Sequence, residues 1–273
     1  MTSGRLRVVA TTTQVQDFVR VVGGNRVDVV GLLKPNVDPH DYEPSPADTD
    51  AVARARVIVR SGVGIDRWLD PLIRSAETDG TVVDASTGVE LRKLHGQPDP
   101  HIWHDPRNAE KMAITVERAL VRADPAGGSI YARNLATYLN ELGALDVEIQ
   151  SSLAPLTNRK LVTDHDAFGY YAARYGLQIV GAVIPSFDSS AELSASDVSD
   201  LVTTIRREQV RAVFSEQSLS GKTASLIASE AGVRVISGPG ALYGDTLGPA
   251  GSDGATYLGM MRHNTATIVR GLS

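Results

Sequence analysis

Residues 129–156 have the sequence SIYARNLATYLNELGALDVEIQSSLAPL. Apolar residues recur in this stretch at steps of three and four, the spacing that places side chains on one face of a helix. The apolar positions are Tyr131, Leu135, Tyr138, Leu139, Leu142, Leu145 and Val147. Only Gly143 weakens the helical pattern before Pro155. A single helix here would be roughly 40 Å long at about 1.5 Å per residue, so we predict a stiff connection between two structural units.

Short apolar runs alternate with helical segments on both sides of this stretch. Before it, RLRVVATT (5–12) has a strand pattern and QVQDFVRVV (14–22) a helical one, and after it KLVTDH (160–165) begins a second series. This alternation predicts parallel sheets with helices on both faces. We therefore expect an α/β fold of two doubly wound lobes joined by one long bridging helix. The predicted limits are 5–125 for the N-terminal lobe, 126–156 for the bridging helix and 157–273 for the C-terminal lobe, with a site between the lobes.

The composition excludes several classes of function. The 273 residues include 27 Lys and Arg against 32 Asp and Glu, so the formal net charge is −5 and offers no basic surface for nucleic acid. The absence of cysteine excludes a disulfide scaffold, a cysteine-ligated zinc finger, an iron–sulfur cluster and a thiol nucleophile. A metal ion in this chain must therefore be bound by His, Asp, Glu or backbone oxygen.

Three of the six histidines lie in similar settings beside predicted strands or helices. His40 follows the second predicted strand and His165 ends the first strand of the second series, while His101 precedes a long helix. Loops at the carboxyl ends of parallel strands form binding crevices, so a cleft between the lobes would bring His40 and His165 together. Each histidine taken alone is more often a surface or capped residue than a metal ligand.

Two carboxylates are further candidates. Asp245 lies in a glycine-rich loop, where spacing alone favours an ordinary turn residue. Glu216, at the end of another strand, would either orient a histidine or cap a helix. His104 is three residues after His101, but Pro100 and Pro106 indicate a loop, so we interpret it as a neighbour of the site. The motifs GxSxG, GxxxxGK[ST] and HExxH do not occur in the sequence.

Five segments resemble the zinc- and manganese-binding solute-binding proteins of bacterial ABC transporters. They are DPHDYEPSPAD (38–48), PHIWHDP (100–106), TDHDAFGYYAARYGL (163–177), VRAVFSEQS (210–218) and LYGDTLG (242–248). The resemblance covers nearly the whole chain in the order of the family, and it implies two α/β lobes bridged by a rigid helix. It also implies that His40, His101, His165 and Asp245 are the metal ligands.

The ligand set implied by this resemblance has three imidazoles and one carboxylate. Such a set suits tetrahedral Zn²⁺, whereas a second carboxylate in place of His165 would favour Mn²⁺. The sequence departs from the family at His104, where an apolar residue is usual. The long metal-collecting loop of many zinc members is also absent, and His95 is the only extra imidazole in the short segment before His101.

The resemblance implies a function outside the cytoplasmic membrane. We expect a monomeric, non-enzymatic protein that captures Zn²⁺, with Mn²⁺ or Fe²⁺ as alternatives, and delivers it to an ABC-transporter permease. The chain has no apolar run of the roughly 20 residues that span a bilayer. It also begins without a signal-peptide pattern, so we expect a leader or lipid anchor to lie outside it.

The sequence is also compatible with two other functions. A zinc-dependent hydrolase would keep a water on the metal, with Asp245 outside the coordination sphere and an acid such as Glu216 as the base. A surface adhesin on the same fold would use the metal structurally. For transport, we hypothesise that the loop around Asp245 moves when metal is released, while the bridging helix limits hinge motion.

Overall fold

Two parallel sheets have equivalent strand orders in the two halves of the computed structural model, which describes residues 4–94 and 96–273. The strands of the first sheet are β1 (Leu6–Ala10), β2 (Val27–Gly31), β3 (Val57–Arg60) and β4 (Thr81–Asp84). Their spatial order is β2-β1-β3-β4, and every pair is parallel. The chain therefore reverses its direction of winding between β1 and β3, as in doubly wound sheets.

The second sheet repeats this arrangement. A short hairpin of β5 (Lys93–Leu94) and β6 (Gln97–Pro98), which the sequence did not predict, precedes it. The strands of the second sheet are β7 (Lys160–His165), β8 (Gln178–Ile184), β9 (Ala212–Phe214) and β10 (Arg234–Ile236). They are parallel in the order β10-β9-β7-β8, so the winding reverses between β7 and β9.

Helices follow the strands of both sheets along the chain. The helices of the N-terminal half are α1 (Thr13–Gly23), α2 (Pro46–Arg54), α3 (Leu69–Ala76) and α4 (Pro106–Ala123). They are followed by α5 (Gly128–Leu153), α6 (Gly169–Tyr175), α7 (Ala195–Arg207), α8 (Lys222–Ala231) and α9 (Tyr257–Leu272). The predicted α/β fold of two lobes with parallel sheets and one long helix is confirmed. The exact lobe limits stay a prediction.

The long helix α5 contacts both lobes. It packs on α1 and α4 of the first lobe and on α6 and α9 of the second. Its 26 residues correspond to about 39 Å at 1.5 Å per residue. Most of the predicted apolar face is buried, but including Val147 in that face was wrong, because its side chain is 61% exposed and Ile149 is buried instead. Gly143 does not interrupt the helix.

The hydrophobic core is continuous between the lobes. One cluster of buried side chains extends from β1 through α5 to α9. The C-terminal helix contributes Tyr257, whose ring meets Phe18 of α1 edge-on with centroids 5.0 Å apart. Separating the lobes would expose this shared apolar surface to water, so packing limits hinge motion. None of the helices within 4–94 and 96–273 has both the length and the apolar character needed to cross a bilayer.

Candidate metal centre

The structure brings the four predicted ligand residues together. Each of His40, His101, His165 and Asp245 offers a nitrogen or oxygen atom, and all four atoms lie within 4.8 Å of one another. The carboxylate oxygens of Asp245 lie 3.3 Å from Nε2 of His101, 3.3 Å from Nε2 of His165 and 3.6 Å from Nε2 of His40. The two Nε2 atoms of His101 and His165 are 3.2 Å apart. Three imidazole nitrogens thus converge on one carboxylate.

These residues meet because the carboxyl ends of the strands face one another across the lobes. His165 is the last residue of β7, beside the point where the winding of its sheet reverses. His40 lies in the loop after β2, and Asp245 lies in the loop after β10. Both sheets therefore direct their strand ends towards the same crevice, as expected for ligand sites in open α/β sheets.

The segment DPHDYEPSP forms a loop around His40 in which hydrogen bonds join residues of the loop and the start of α2. The backbone N–H of His40 donates to Oδ1 of Asp38 at 2.9 Å. Ser45 and Asp48 form a capping box that starts α2 at Pro46, and the Tyr42 hydroxyl donates to Asp48 at 2.8 Å. A proline at the first helical position and a reciprocal cap fix the start of a helix. The motif therefore places His40 through local hydrogen bonds.

Two buried carboxylates orient the other imidazoles. Oδ1 of Asp99 accepts the backbone N–H of His101 at 3.0 Å and lies 2.9 Å from its Nδ1. Oε1 of Glu216 accepts the backbone N–H of His165 at 3.2 Å and lies 2.8 Å from its Nδ1. Because an ionised carboxylate only accepts hydrogen bonds, Nδ1 of each ring carries a proton, and Nε2 is the atom that can bind a metal ion at the centre once its own proton is released. The sequence allowed Glu216 either to orient a histidine or to cap a helix, and its two contacts with His165 favour the first role.

Asp38 and Asp99 were not among the site residues predicted from the sequence. A sequence repeat marks both residues, because the tripeptide Asp-Pro-His occurs at 38–40 and again at 99–101. In both copies the aspartate accepts the backbone N–H of the histidine two residues later. Such Asx turns are a common local structure for Asp before a turn. The repeat therefore encodes two similarly presented imidazoles.

Gly244 is required by the close approach of Glu216. A Cβ atom at this position would lie 1.8 Å from Oε2 of Glu216 and 3.5 Å from Cε1 of His165. Any other residue would displace the carboxylate that orients His165. The next residue, Asp245, is completely buried, and its carboxylate oxygens form no hydrogen bond with the residues that the structure describes. Burying such unpaired acceptors is costly, and a cation between the four residues would compensate for the cost.

The charges of the site stabilise one another. Burial lowers the pKa of His101, but the carboxylates of Asp245 and Asp99 outweigh it and raise that pKa to about 9. The carboxylates of Asp245 and Glu216 likewise overcome burial and raise the pKa of His165 well above its usual value. Burial raises the pKa of Asp245, yet the two imidazoles hold it well below the ordinary value. For His40, burial dominates and lowers the pKa.

His40 faces the opening of the crevice. Its side chain is 9% exposed, whereas those of His101, His165 and Asp245 are inaccessible. A cleft of about 220 Å³ borders it, and both lobes contribute to the walls. The lining includes Val63, Arg67 and Pro100 from the first lobe and Phe187 and Asp188 from the second. An ion entering here would meet His40 first.

His104 and His263, the other two histidines that the structure describes, lie outside the group of four ligand residues. His104 is buried and its Nε2 lies 3.0 Å from the carbonyl oxygen of Gly244, in agreement with its interpretation as a neighbour. Nε2 of His263 lies 2.9 Å from the carbonyl oxygen of Ala241. His95, the extra imidazole noted in the sequence, lies outside the described residues.

Comparisons with known proteins agree with this architecture. The family model described as "Zinc-uptake complex component A periplasmic" (ZnuA) matches residues 8–271. The chain belongs to this family. The ZnuA family comprises solute-binding proteins of metal ABC transporters, so the resemblance stated from the sequence is confirmed.

Individual ZnuA-family relatives differ in the metal that their names record. The chain is 31% identical to the manganese-binding lipoprotein MntA of Halalkalibacterium halodurans, over 98% of this chain and 89% of the relative. It is 30% identical to the iron-binding protein YfeA of Yersinia pestis, over 99% and 87% respectively. The solved structure of the periplasmic zinc-binding protein TroA from Treponema pallidum superimposes with a TM-score of 0.93 at 27% identity, covering 99% of this chain and all of the other.

Proposed function

We propose that this chain captures a divalent transition-metal ion, with Zn²⁺ as the first candidate, and delivers it to the permease of an ABC transporter. The observation that carries the proposal is the convergence of His40, His101, His165 and Asp245 in a buried crevice between the lobes. Four protein ligands close a tetrahedral coordination sphere, which suits carriage of the ion. The partly exposed His40 gives such an ion a route to and from the solvent.

The donor set and the local charge support zinc. Three imidazoles and one carboxylate match the ligands that Zn²⁺ takes in tetrahedral sites. The divalent ion would offset two of the three negative charges on Asp245, Asp99 and Glu216. The guanidinium of Arg92, which donates to Asp99 at 3.1 Å, offsets the third. Mn²⁺ and Fe²⁺ remain the alternative cargo, because relatives named for manganese and iron match this chain at about the same identity.

The position of Asp245 favours transport over hydrolysis. A hydrolase needs an open coordination position for water and a free acid as the base. Here the carboxylate of Asp245 lies within the group of ligand atoms, and one oxygen of Glu216 is bonded to His165. Membership of a family of solute-binding proteins points the same way. We further propose that the chain acts as a monomer outside the cytoplasmic membrane, with lobe limits at 5–125 and 157–273 around the bridging helix.

Metal binding tests the proposal directly. Protein stripped of metal is titrated with Zn²⁺ and with Mn²⁺ by calorimetry, and we expect one Zn²⁺ per chain with tighter binding than Mn²⁺. His165→Ala and Asp245→Ala should weaken Zn²⁺ binding strongly. His263→Ala, which changes a histidine outside the site, should not. Equal zinc affinity in all four proteins would overturn the ligand assignment, and tighter Mn²⁺ binding would select the alternative cargo.

Delivery to the permease needs a separate test. Uptake of radioactive zinc is compared between cells that lack this gene and cells that express the full-length protein or its Asp245→Ala variant. Restored uptake with the wild-type protein alone would support transport. Zinc binding by the purified protein without any effect on uptake would favour the adhesin alternative.

A further inference from the structure

His104 is placed beside the candidate metal centre without joining it. Its ring is completely buried and stacks on Phe168, with centroids 4.4 Å apart and planes inclined by 29°. Its Nε2 lies 3.0 Å from the carbonyl oxygen of Gly244. The indole Nε1–H of Trp103 donates to the same oxygen at 3.0 Å. Two adjacent side chains of the first lobe therefore bind one backbone carbonyl of the second.

The hydrogen bond fixes the state of the His104 ring. A carbonyl oxygen only accepts, so the proton must be on Nε2 and the ring donates. Burial, with a smaller contribution from the charge of His101, lowers the pKa of His104 to about 3, which keeps the ring neutral at physiological pH. Its Nδ1 forms no hydrogen bond within the described residues. The ring therefore acts on its surroundings as a single N–H donor.

The carbonyl that His104 binds belongs to the peptide just before Asp245. The carbonyl of Asp245 itself, on the following peptide, accepts a hydrogen bond of 2.9 Å from Nε2 of Gln14. Both peptide planes that flank this residue are thus fixed by side chains of the first lobe. This matters because the carboxylate of Asp245, unlike the rings of His101 and His165, has no hydrogen bond to orient it among residues 4–94 and 96–273.

We propose that His104 is a positioning residue that, with Trp103, sets the direction of the Asp245 carboxylate and so the affinity and coordination geometry of the metal site. The inference rests on the proposed function, since it assumes that Asp245 is a ligand. An apolar side chain at position 104 would leave the Gly244 carbonyl with the indole donor alone. The Gly244 carbonyl would then accept one side-chain hydrogen bond instead of two.

Substitution with and without a donor separates this role from simple packing. His104→Leu removes the N–H, whereas His104→Gln places an amide donor at about the reach of Nε2. We expect Zn²⁺ affinity to fall roughly two- to tenfold in His104→Leu, the range expected for one net hydrogen bond, and to be largely restored in His104→Gln. Co²⁺ replaces Zn²⁺ as a probe, and its visible bands should weaken in His104→Leu as the tetrahedral site is distorted.

The outcomes distinguish this inference from the proposed function. Absence of stoichiometric metal in the wild-type protein would overturn the proposed function itself. Tight binding by the wild-type protein together with an unchanged affinity and Co²⁺ spectrum in His104→Leu would overturn only the role of His104. A lower melting temperature of both metal-free variants, with wild-type spectra, would show that the residue serves packing alone. A Co²⁺ spectrum altered in the leucine variant and restored by glutamine supports the proposal.

Discussion

The side-chain amide of Gln14, on the first helix of the N-terminal lobe, donates a 2.9 Å hydrogen bond to the backbone carbonyl of Asp245 in the C-terminal lobe. Two residues further on, the backbone N–H of Leu247 donates to the hydroxyl of Thr13 at 2.7 Å. The loop of Asp245 is therefore attached to the lobe opposite its own. If this loop moves when metal is released, as the sequence suggested, both bonds must break.

Removal of the Gln14 amide should weaken the site. In Gln14→Leu the buried carbonyl of Asp245 loses its partner, which costs about 1–3 kcal/mol in comparable cases. We expect Zn²⁺ affinity to fall about tenfold, because one of the two peptides flanking Asp245 is released. Calorimetric titration measures the affinity, and thermal denaturation of the metal-free protein measures stability.

Gln16→Leu is the matched control, since Gln16 lies on the same helix but packs against Gly31 within the first lobe. It should leave zinc binding unchanged. An equal loss of affinity in both variants would mean that the helix, and not the bond to Asp245, determines binding.

The carboxylates of Asp99 and Glu216, which contact Nδ1 of His101 and His165, should increase the affinity for Zn²⁺. Asp99→Ala and Glu216→Ala each remove the acceptor that keeps the Nδ1 proton of one ligand in place. Loss of such partners lowers metal affinity about 10- to 100-fold. Chelator competition with Zn²⁺ measures the change. The surface substitution Glu148→Ala, whose side chain is 49% exposed, serves as the control and should have no effect. Wild-type affinity in both Asp99→Ala and Glu216→Ala would refute their orienting role.

Metal binding should release protons over a wide pH range. Below about pH 9 the metal-free protein holds a proton on His101, because its pKa is raised to about 9, and zinc must displace it. Affinity should therefore fall as the pH decreases from about 9, a higher onset than the unperturbed imidazole pKa of about 6.5 suggests. Calorimetry at pH 7 in buffers of different ionisation enthalpy should detect at least one proton released per Zn²⁺. No release at this pH would contradict the prediction.

The raised pKa of His101 has the opposite effect on the stability of the metal-free protein, which should fall as the pH rises. A histidine whose pKa is raised in the folded state stabilises the protein fully below its unfolded value, about 6.5, and this contribution is lost as the pH rises through the folded value. The metal-free protein should therefore become less stable between about pH 6.5 and pH 9, the folded-state pKa of His101. In the zinc-loaded protein the metal has already displaced that proton, so its stability should change little over the same range. Thermal melts of both forms at several pH values test the pair of trends.

Most of the fold was predictable because its determinants are local in the sequence. The alternation of strand and helix patterns gave both sheets, and the pattern in 129–156 gave the bridging helix. Val147 was assigned to the wrong face because the apolar face of a long helix shifts gradually around the helix axis. Burial at one end of α5 therefore depends on which lobe covers it. The hairpin at 93–98 has two-residue strands, too short to produce a periodic pattern.

The metal site could be predicted only in part from local sequence patterns. The positions of His40 and His165 after strands placed them in the crevice, since strand ends of a parallel sheet share one edge. Asp245 could not be distinguished from a turn residue by spacing, because its role depends on Gln14, Trp103 and other residues distant in the chain. Its assignment as a ligand depended on the resemblance and stays a prediction until metal binding is measured.

An ion-pair network should contribute to the rigidity of the lobes. Asp146 on the bridging helix binds Arg174 of the second lobe, accepts from the Tyr175 hydroxyl at 3.0 Å and lies 3.3 Å from Arg107 of the first lobe. Asp146→Asn removes the nearer charge partner of Arg174 and leaves it with Asp105, whose Oδ1 lies 3.8 Å from Nε of Arg174. Because Arg174 is about a third exposed, we expect a loss of roughly 1–3 kcal/mol, less than for a fully buried pair. Chemical denaturation measures it.

The pH dependence of this network has the opposite sign to that of the imidazoles. Burial raises the pKa of Asp146, but its bonds with Arg174 and Tyr175 outweigh this and leave it lowered. Its contribution is therefore complete above the unfolded value of about 4 and disappears as the pH falls below it. Asp50→Asn is the control, since its pair with Arg54 is largely exposed and should contribute little. Equal destabilisation by both substitutions would exclude a special role for Asp146.

A hydrogen bond across the mouth of the crevice should slow metal release. The hydroxyl of Ser189, in the second lobe, donates to Oδ2 of Asp38 at 2.5 Å, while Oδ1 of the same carboxylate accepts the N–H of His40. Ser189→Ala removes the connection between the second lobe and the loop of the most exposed ligand. We expect Zn²⁺ to dissociate roughly three- to tenfold faster, the kinetic equivalent of about one net hydrogen bond.

Stopped-flow mixing of zinc-loaded protein with excess chelator measures this rate. The neighbouring Ser190→Ala is the control, because the hydroxyl of Ser190 is exposed and bonds only locally to Asp188. A faster rate in Ser189→Ala alone would show that the lobes must part at Asp38 before His40 gives up the ion. Identical rates in both variants and the wild-type protein would instead place the slow step elsewhere, at the loop of Asp245 that Gln14 and Thr13 attach to the first lobe.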